Sequence, residues 1–308
     1  MLGEVTKEFD MKAVSFGITL MFAAAAFGQA VVVSPSTTVK PPAEGDSVTI
    51  ESMGFGTEFA FRGAGWAIEK YSDPQGLWRA RLTANNAVVA DLGDCGDRAE
   101  WMRFLTWPLD ESHPGRLLGV LRYEGGAHGS DALDLFMLEE NYRSVLDVEN
   151  DFNFRGIRDV NADGWPEVIG VTRTFANMMF LSHERSPFPM MVLGYHESSR
   201  QYVCLNYAYQ DALLARGAAR REKFEAHPSS TTPIVYSRTD TREQEAFSLL
   251  LHWVVSLAFM GDEEAAWQYL GEHTSGATYV WAKEEIETHL GRDRYYQQMK
   301  RIQATTPQ

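Results

Sequence analysis

Basic residues are scarce in this chain. Its 28 lysines and arginines face 42 aspartates and glutamates, for a formal charge of −14. That balance argues against nucleic acid or an anionic membrane as a partner and is compatible with cation binding, although an acidic surface also serves solubility alone. Cysteine is nearly absent. Cys95 and Cys204 either pair in an oxidising compartment or stay as two buried free thiols, since spacing alone does not place them within bonding distance. Long apolar runs are missing apart from residues 14–27. The stretch 246–260 is apolar almost throughout, but too short to span a bilayer, and reads as a buried core helix. Catalytic signatures are also wanting. There is no Gly-x-Ser-x-Gly elbow, and His183-Glu184 lacks the second histidine of a zinc-protease helix.

Residues 11–30 read as an export signal. Lys12 supplies a positive n-region, 14–27 an alanine-rich h-region, and Gly28-Gln29-Ala30 the small residues of a cleavage site. Met11 then serves as the start, because 1–10 is acidic and adds nothing to such a signal. An uncleaved anchor helix is disfavoured by the short h-region and the polar linker after it. No cysteine stands at the cleavage point, so no lipid anchor is expected. The expected address is extracytoplasmic, periplasmic or secreted, with no stable membrane insertion after cleavage. Without residues 1–30, 26 basic residues still face 39 acidic ones.

Residues 31–46 are rich in Pro, Ser, Thr and Val without periodicity and read as a flexible leader. Short strand-like segments come next: Val48 and Ile50, then Phe59 and Phe61, then 66–71, closed by the turn residues 72–76. Segments 77–82 and 87–92 flank Asn85-Asn86, which suits a tight hairpin. Residues 100–105 read as a short helix or a strand. Further strands are expected at 116–123, 132–138, 142–148, 167–172, 190–195 and 201–205. The pattern then changes. Residues 207–214 read as helix and 216–237 as a charged, then Ser/Thr/Pro-containing, connector. Thr241 and Gln244 form a capping box for a helix through Met260. Asp262 caps a second helix through Leu270, and a third over 275–290 carries Tyr279, Ala282, Ile286 and Leu290 on one face. The expected organisation is a mostly β region of antiparallel sheets over 47–206 and a helical C-terminal region over 207–308, α+β overall.

One constellation has ligand spacing. In Asp159-Val160-Asn161-Ala162-Asp163-Gly164-Trp165-Pro166-Glu167, oxygen-bearing side chains alternate at 159, 161 and 163, a glycine stands at 164, and a carboxylate at 167. Calcium takes roughly six to eight oxygen ligands, alternate residues of a tight loop point inward, and glycine permits the sharp turn. A helix-loop-helix site would need a bidentate glutamate at Gly170 and flanking helices, whereas residues 167–172 read as strand. The expected ligands are therefore Asp159, Asn161, Asp163 and Glu167 by side chain and Trp165 by its backbone carbonyl. The other reading is a metal-free turn, since Asp and Asn side chains bond their own backbone. A weak echo lies 51 residues earlier, where Leu117-Leu118-Gly119-Val120 aligns with Val168-Ile169-Gly170-Val171. There Pro108, Asp110, Ser112 and Arg116 replace the ligands, so only the second copy is fit for a cation.

Asp-x-Asn-x-Asp-Gly-x-x-Glu before a strand resembles the calcium loop of FG-GAP/VCBS-type repeats, found in β-propellers and in secreted bacterial proteins. Tyr123-Glu124-Gly125-Gly126-Ala127-His128, the loop, Phe175, Pro187, Pro189 and Gln201-Tyr202-Val203 recur in that order in uncharacterised secreted proteins of this type, with a helical C-terminal region after them. The likeness covers residues 75–290. It departs at Gly129-Ser130, where cysteines are common, and at Glu167, where aspartate is usual. A propeller blade takes about 40 to 50 residues, so the β region supplies only about two to three, and an open, partial-propeller-like assembly is implied rather than a closed one. The resemblance implies a structural calcium ion and a secreted or periplasmic role.

Catalysis is not the expectation. His128, Ser130 and Asp131 are too close in sequence to converge as a triad. Asp110, Glu111 and His113 read as a polar turn, and His252 as a hydrogen-bonded core histidine. The eight tryptophans read as core, although such side chains also build carbohydrate platforms. The leading reading is an exported, non-catalytic binding or interaction module for a protein or glycan. The alternative is a secreted hydrolase with an unrecognised Asp/Glu/His site. An aromatic row exposed on one sheet face would favour the first, and a pocket of convergent acids and histidines the second.

Overall fold

The computed structural model describes residues 47–51, 60–63, 66–76, 78–94, 101–108, 116–123, 131–138, 142–237 and 239–305. The expected signal, the leader, most of the echo turn and Cys95 lie outside them. The protein is α+β, with antiparallel sheets and a C-terminal set of helices. Its chain divides into two compact units.

The first unit holds β1 (Ser47–Glu51) through β7 (Arg116–Tyr123) and the end of β8 (Asp131–Met137). Strand β6 (Trp101–Pro108), where helix and strand were both open from sequence, pairs with β1 on one side and β7 on the other. β2 (Ala60–Gly63), β3 (Trp66–Ser72), β4 (Trp78–Ala84) and β5 (Ala87–Asp94) form a meander. Its period-2 pattern is plain: Trp66 and Ile68, then Ala80, Leu82 and Ala84, are buried, while Ala67, Glu69, Arg79, Arg81 and Thr83 are half-exposed. With Leu92, Leu118, Val120 and Phe136 they make one core. The β4–β5 turn places Asn85 and Asn86 at φ 49° and 63°, the left-handed pair that a two-residue hairpin demands and asparagine tolerates.

The second unit holds β9 (Arg143–Arg158), β10 (Glu167–Thr172), β11 (Met190–His196), β12 (Gln201–Cys204) and five helices. β9 runs ten residues beyond the segment 142–148 that the sequence suggested. β10 is buried along nearly its whole length, as a central strand with both faces covered must be. Its pairing with β9 is interrupted by a bulge: Gly156 opposes Ile169 and Phe154 opposes Gly170, leaving Arg155 extra. Gly170 is required there, since a Cβ would come within 2.1 Å of the Phe152 ring. Cys204, at the end of β12, is a buried free thiol.

The helices differ from expectation in extent and number. α1 (Gln210–Glu225) runs well into the expected connector. α2 (Thr241–Phe259) is capped by Asp240, whose carboxylate accepts from Arg242 N and Glu243 N; Thr241 is the first helical residue, not the cap. α3 (Glu263–His273) starts at Asp262 and α4 (Gly276–Arg292) at Ser275, both as the sequence indicates. A further helix, α5 (Arg294–Thr305), was not anticipated. His252 on α2 is buried and hydrogen-bonded to Arg220 of α1. None of the helices among the described residues is long and apolar enough to cross a membrane.

Candidate metal centre

The sequence-predicted ligands lie on the turn of the β9–β10 hairpin. Arg158 is the last strand residue before the turn, and its register partner is Glu167. Between them the chain must reverse, and Ala162 (φ 59°) and Gly164 (φ 88°) take the left-handed conformations that do it.

Carboxylate and amide oxygens hold this turn closed. Asp163 N donates to Asp159 Oδ1 at 3.2 Å and to Asn161 Oδ1 at 3.0 Å. Gly164 N donates to Asp159 Oδ2 at 3.0 Å, and Trp165 N to Asp163 Oδ1 at 2.8 Å. Asn161 Nδ2 donates to Asp163 Oδ2 at 2.8 Å. Asp159, Asn161 and Asp163 are exposed. Glu167 is different. It is only 2 % exposed, with Oε2 accepting from Val160 N at 2.7 Å and Oε1 from the Tyr209 hydroxyl at 2.6 Å.

Tyr209 immediately precedes α1 and also accepts from Asn161 Nδ2 at 3.1 Å. It therefore bridges the turn, the first residue of β10 and the head of a helix. Nothing in the local sequence marked it for this role, because it is 42 residues from Glu167. Burial pushes the Glu167 carboxyl above its ordinary value and the nearby Asp163 charge adds to this, while the bonds from Tyr209 and Val160 work the other way. Burial, then the bond to Glu167 and the negative charges around it, raise the Tyr209 phenol. The phenol thus stays protonated and serves as donor.

Trp165, expected to offer its backbone carbonyl, also takes part through other groups. Its N–H donates to Asp163, and its ring stacks on Tyr195 with centroids 3.9 Å apart. Tyr195 meets Tyr202 edge-on, and the buried Tyr202 hydroxyl donates to Pro166 O at 3.0 Å. This aromatic column props the back of the turn.

The structure thus unites Asp159, Asn161, Asp163 and Glu167 in one hydrogen-bonded turn. Among the described residues, no three His, Cys, Asp or Glu side chains are gathered in a metal-ligating group. The donor chemistry nonetheless fits a hard cation. Every group on offer is an oxygen, and each carboxylate oxygen that accepts one N–H keeps a second lone pair. Asp159, Asn161, Asp163 and Glu167 are the residues that would hold such an ion, which would supply positive charge to the turn. At the echo, Pro108 of β6 pairs with Arg116 of β7, one position off the Arg158–Glu167 pairing, and the residue aligned with Glu167 is itself a cation. Compared with family models, with curated proteins and with solved structures, the chain finds no match in any of the three.

Proposed function

We propose that this chain is an exported, non-catalytic binding or interaction module whose 159–167 turn takes up a calcium ion as a structural staple, in the manner of FG-GAP/VCBS-type loops. The ion's work would be to neutralise Asp159, Asp163 and Glu167 and to lock the β9–β10 hairpin; the partner would be a protein or a glycan. One observation carries the reading: Glu167 is a buried carboxylate with two donors, set beside Asp163 and beneath an exposed row of oxygens. Two carboxylates this close repel, and a divalent cation relieves that repulsion.

Thermal melts of the mature protein, with calcium and with chelator, test the proposal. Calcium should raise the melting temperature of the parent and leave that of Asp163→Ala unchanged, because only a ligand bound to the native state stabilises it. No shift in the parent would remove the calcium assignment. An equal shift in the variant would move the ion away from this turn.

A further inference from the structure

Asp163 and Glu167 are linked by an unbroken chain of hydrogen bonds. Asn161 Nδ2 donates to Asp163 Oδ2 at 2.8 Å and to the Tyr209 oxygen at 3.1 Å, and the Tyr209 hydroxyl donates to Glu167 Oε1 at 2.6 Å. The direction of every bond follows from the two ends. An ionised carboxylate only accepts, so the phenol must give its one proton to Glu167 and meet Asn161 as an acceptor. Asn161 must then turn its nitrogen, not its oxygen, toward Tyr209. Neutral N–H and O–H dipoles thus present their positive ends to both carboxylates, as a cation would.

This arrangement and a bound ion exclude each other. An ion shared by Glu167 and Asn161 competes with the phenol for Glu167 Oε1, and it requires the amide oxygen of Asn161 where the nitrogen now faces Tyr209. Tyr209 can give way without unfolding its surroundings. Its side chain is half-exposed, and the backbone on either side of it is pinned. Asn206 accepts from Val192 N at 2.8 Å and donates to Met190 O at 2.8 Å, while Gln210 Nε2 donates to Met260 O at 3.2 Å. The helix does not need the hydroxyl either. Tyr209 makes no side-chain cap for α1 and serves it through its carbonyl, which accepts from Leu213 N at 3.1 Å. A rotation of the side chain alone therefore breaks the link to the turn.

We propose that Tyr209 is a built-in competitor of the cation: its hydroxyl locks the ion-free turn by bridging Glu167 and Asn161, and it gives both up when the turn takes calcium. The inference rests on the calcium reading of this turn and adds its regulation. Because Tyr209 stands at the head of α1, ion uptake turns a phenol engaged with the hairpin into one open to solvent on that helix.

The test is isothermal titration of calcium chloride into the metal-stripped full chain, into Tyr209→Phe and into Tyr236→Phe. Tyr209→Phe keeps the ring and loses only the hydroxyl. It should bind calcium about tenfold more tightly than the parent, since no hydrogen bond to a charged group has to be broken first. Tyr236→Phe loses a phenol bond outside the turn, to Met179 O at 2.9 Å, and should keep the parent's affinity. Binding by Tyr209→Phe that equals the parent's, or is weaker, would overturn the inference and leave the calcium reading standing. Absence of binding in both proteins would remove the calcium reading and this inference with it. Should Tyr209→Phe fail to fold, nitration of the parent with tetranitromethane decides, mapped residue by residue by mass spectrometry. Calcium should raise the yield at Tyr209 several-fold over that in chelator and leave the yield at Tyr236 unchanged. An equal or lower yield at Tyr209 would overturn the inference.

Discussion

Strand β10 is held at both ends by a buried carboxylate, and the two ends are built differently. At its far end, Asp293 is 1 % exposed and accepts from the Thr172 and Thr174 hydroxyls at 2.8 and 2.7 Å and from Tyr295 N and Tyr296 N at 3.0 and 2.8 Å. Those backbone groups open α5, so the helix terminus adds its own partial positive charge. At its start, Glu167 accepts from Val160 N and the Tyr209 hydroxyl, and the nearby Asp163 charge opposes its ionisation. One carboxylate is saturated by dipoles and the other is under-compensated. The first is a structural joint. The second is where an added cation lowers the energy most, because the protein has left part of the neutralisation undone.

Removing the saturated joint should have the largest effect. Asp293→Ala strands two hydroxyls and the first amides of α5, and should cost about 4 kcal/mol in urea unfolding. Its calcium response, measured by melting, should be intact. A loss under about 1 kcal/mol would show that the two ends of β10 are not opposites at all. Next comes the cation itself. Calcium at a hundred times its dissociation constant should stabilise the parent by about 2.7 kcal/mol, and Asp163→Ala should abolish that gain while Asp293→Asn keeps it. Tyr209→Phe ranks third, at about 2 kcal/mol in chelator, since a buried carboxylate loses its hydroxyl donor. Calcium should recover part of this deficit, whereas it should recover none of the Asp293→Ala loss.

The smallest effect is the pH dependence. The folded-state value of Glu167 lies above the ordinary 4.5, chiefly through burial. Protonation therefore favours the fold: this stabilisation is fully present below 4.5 and is lost as pH rises through the raised folded value. Metal-free protein should lose stability over that window, and Glu167→Gln should flatten the slope. Calcium should flatten it too, by favouring the ionised form. A slope that persists in Glu167→Gln would assign it to another group.

Local patterns were legible where local physics decides them. The alternation in β3 and β4, the Asn85-Asn86 turn and the caps at Asp262 and Ser275 depend on neighbours a few residues away, and all are present. The extent of α1 was not legible. Gly217, a poor helix former, lies against Trp253, where a Cβ would come within 2.9 Å of the ring, so α2 packs onto this part of what the charged composition suggested was a connector. The bulge in β9 was hidden for a similar reason, because it lies where the Phe152 ring fills the space over Gly170.

The sequence by itself determined the oxygen spacing of the 159–167 turn, its strand-flanked setting and the acid excess of the chain, since each is a property of adjacent residues or of composition. Only the tertiary structure decided what those oxygens face. Tyr209 reaches Glu167 across 42 residues, and Asp293 reaches Thr172 across 121. Such partners are chosen by packing, which buries one carboxylate under-compensated and the other saturated. No local pattern records that choice, because the energy of a buried charge depends on everything within a few ångströms of it and on nothing about its distance along the chain.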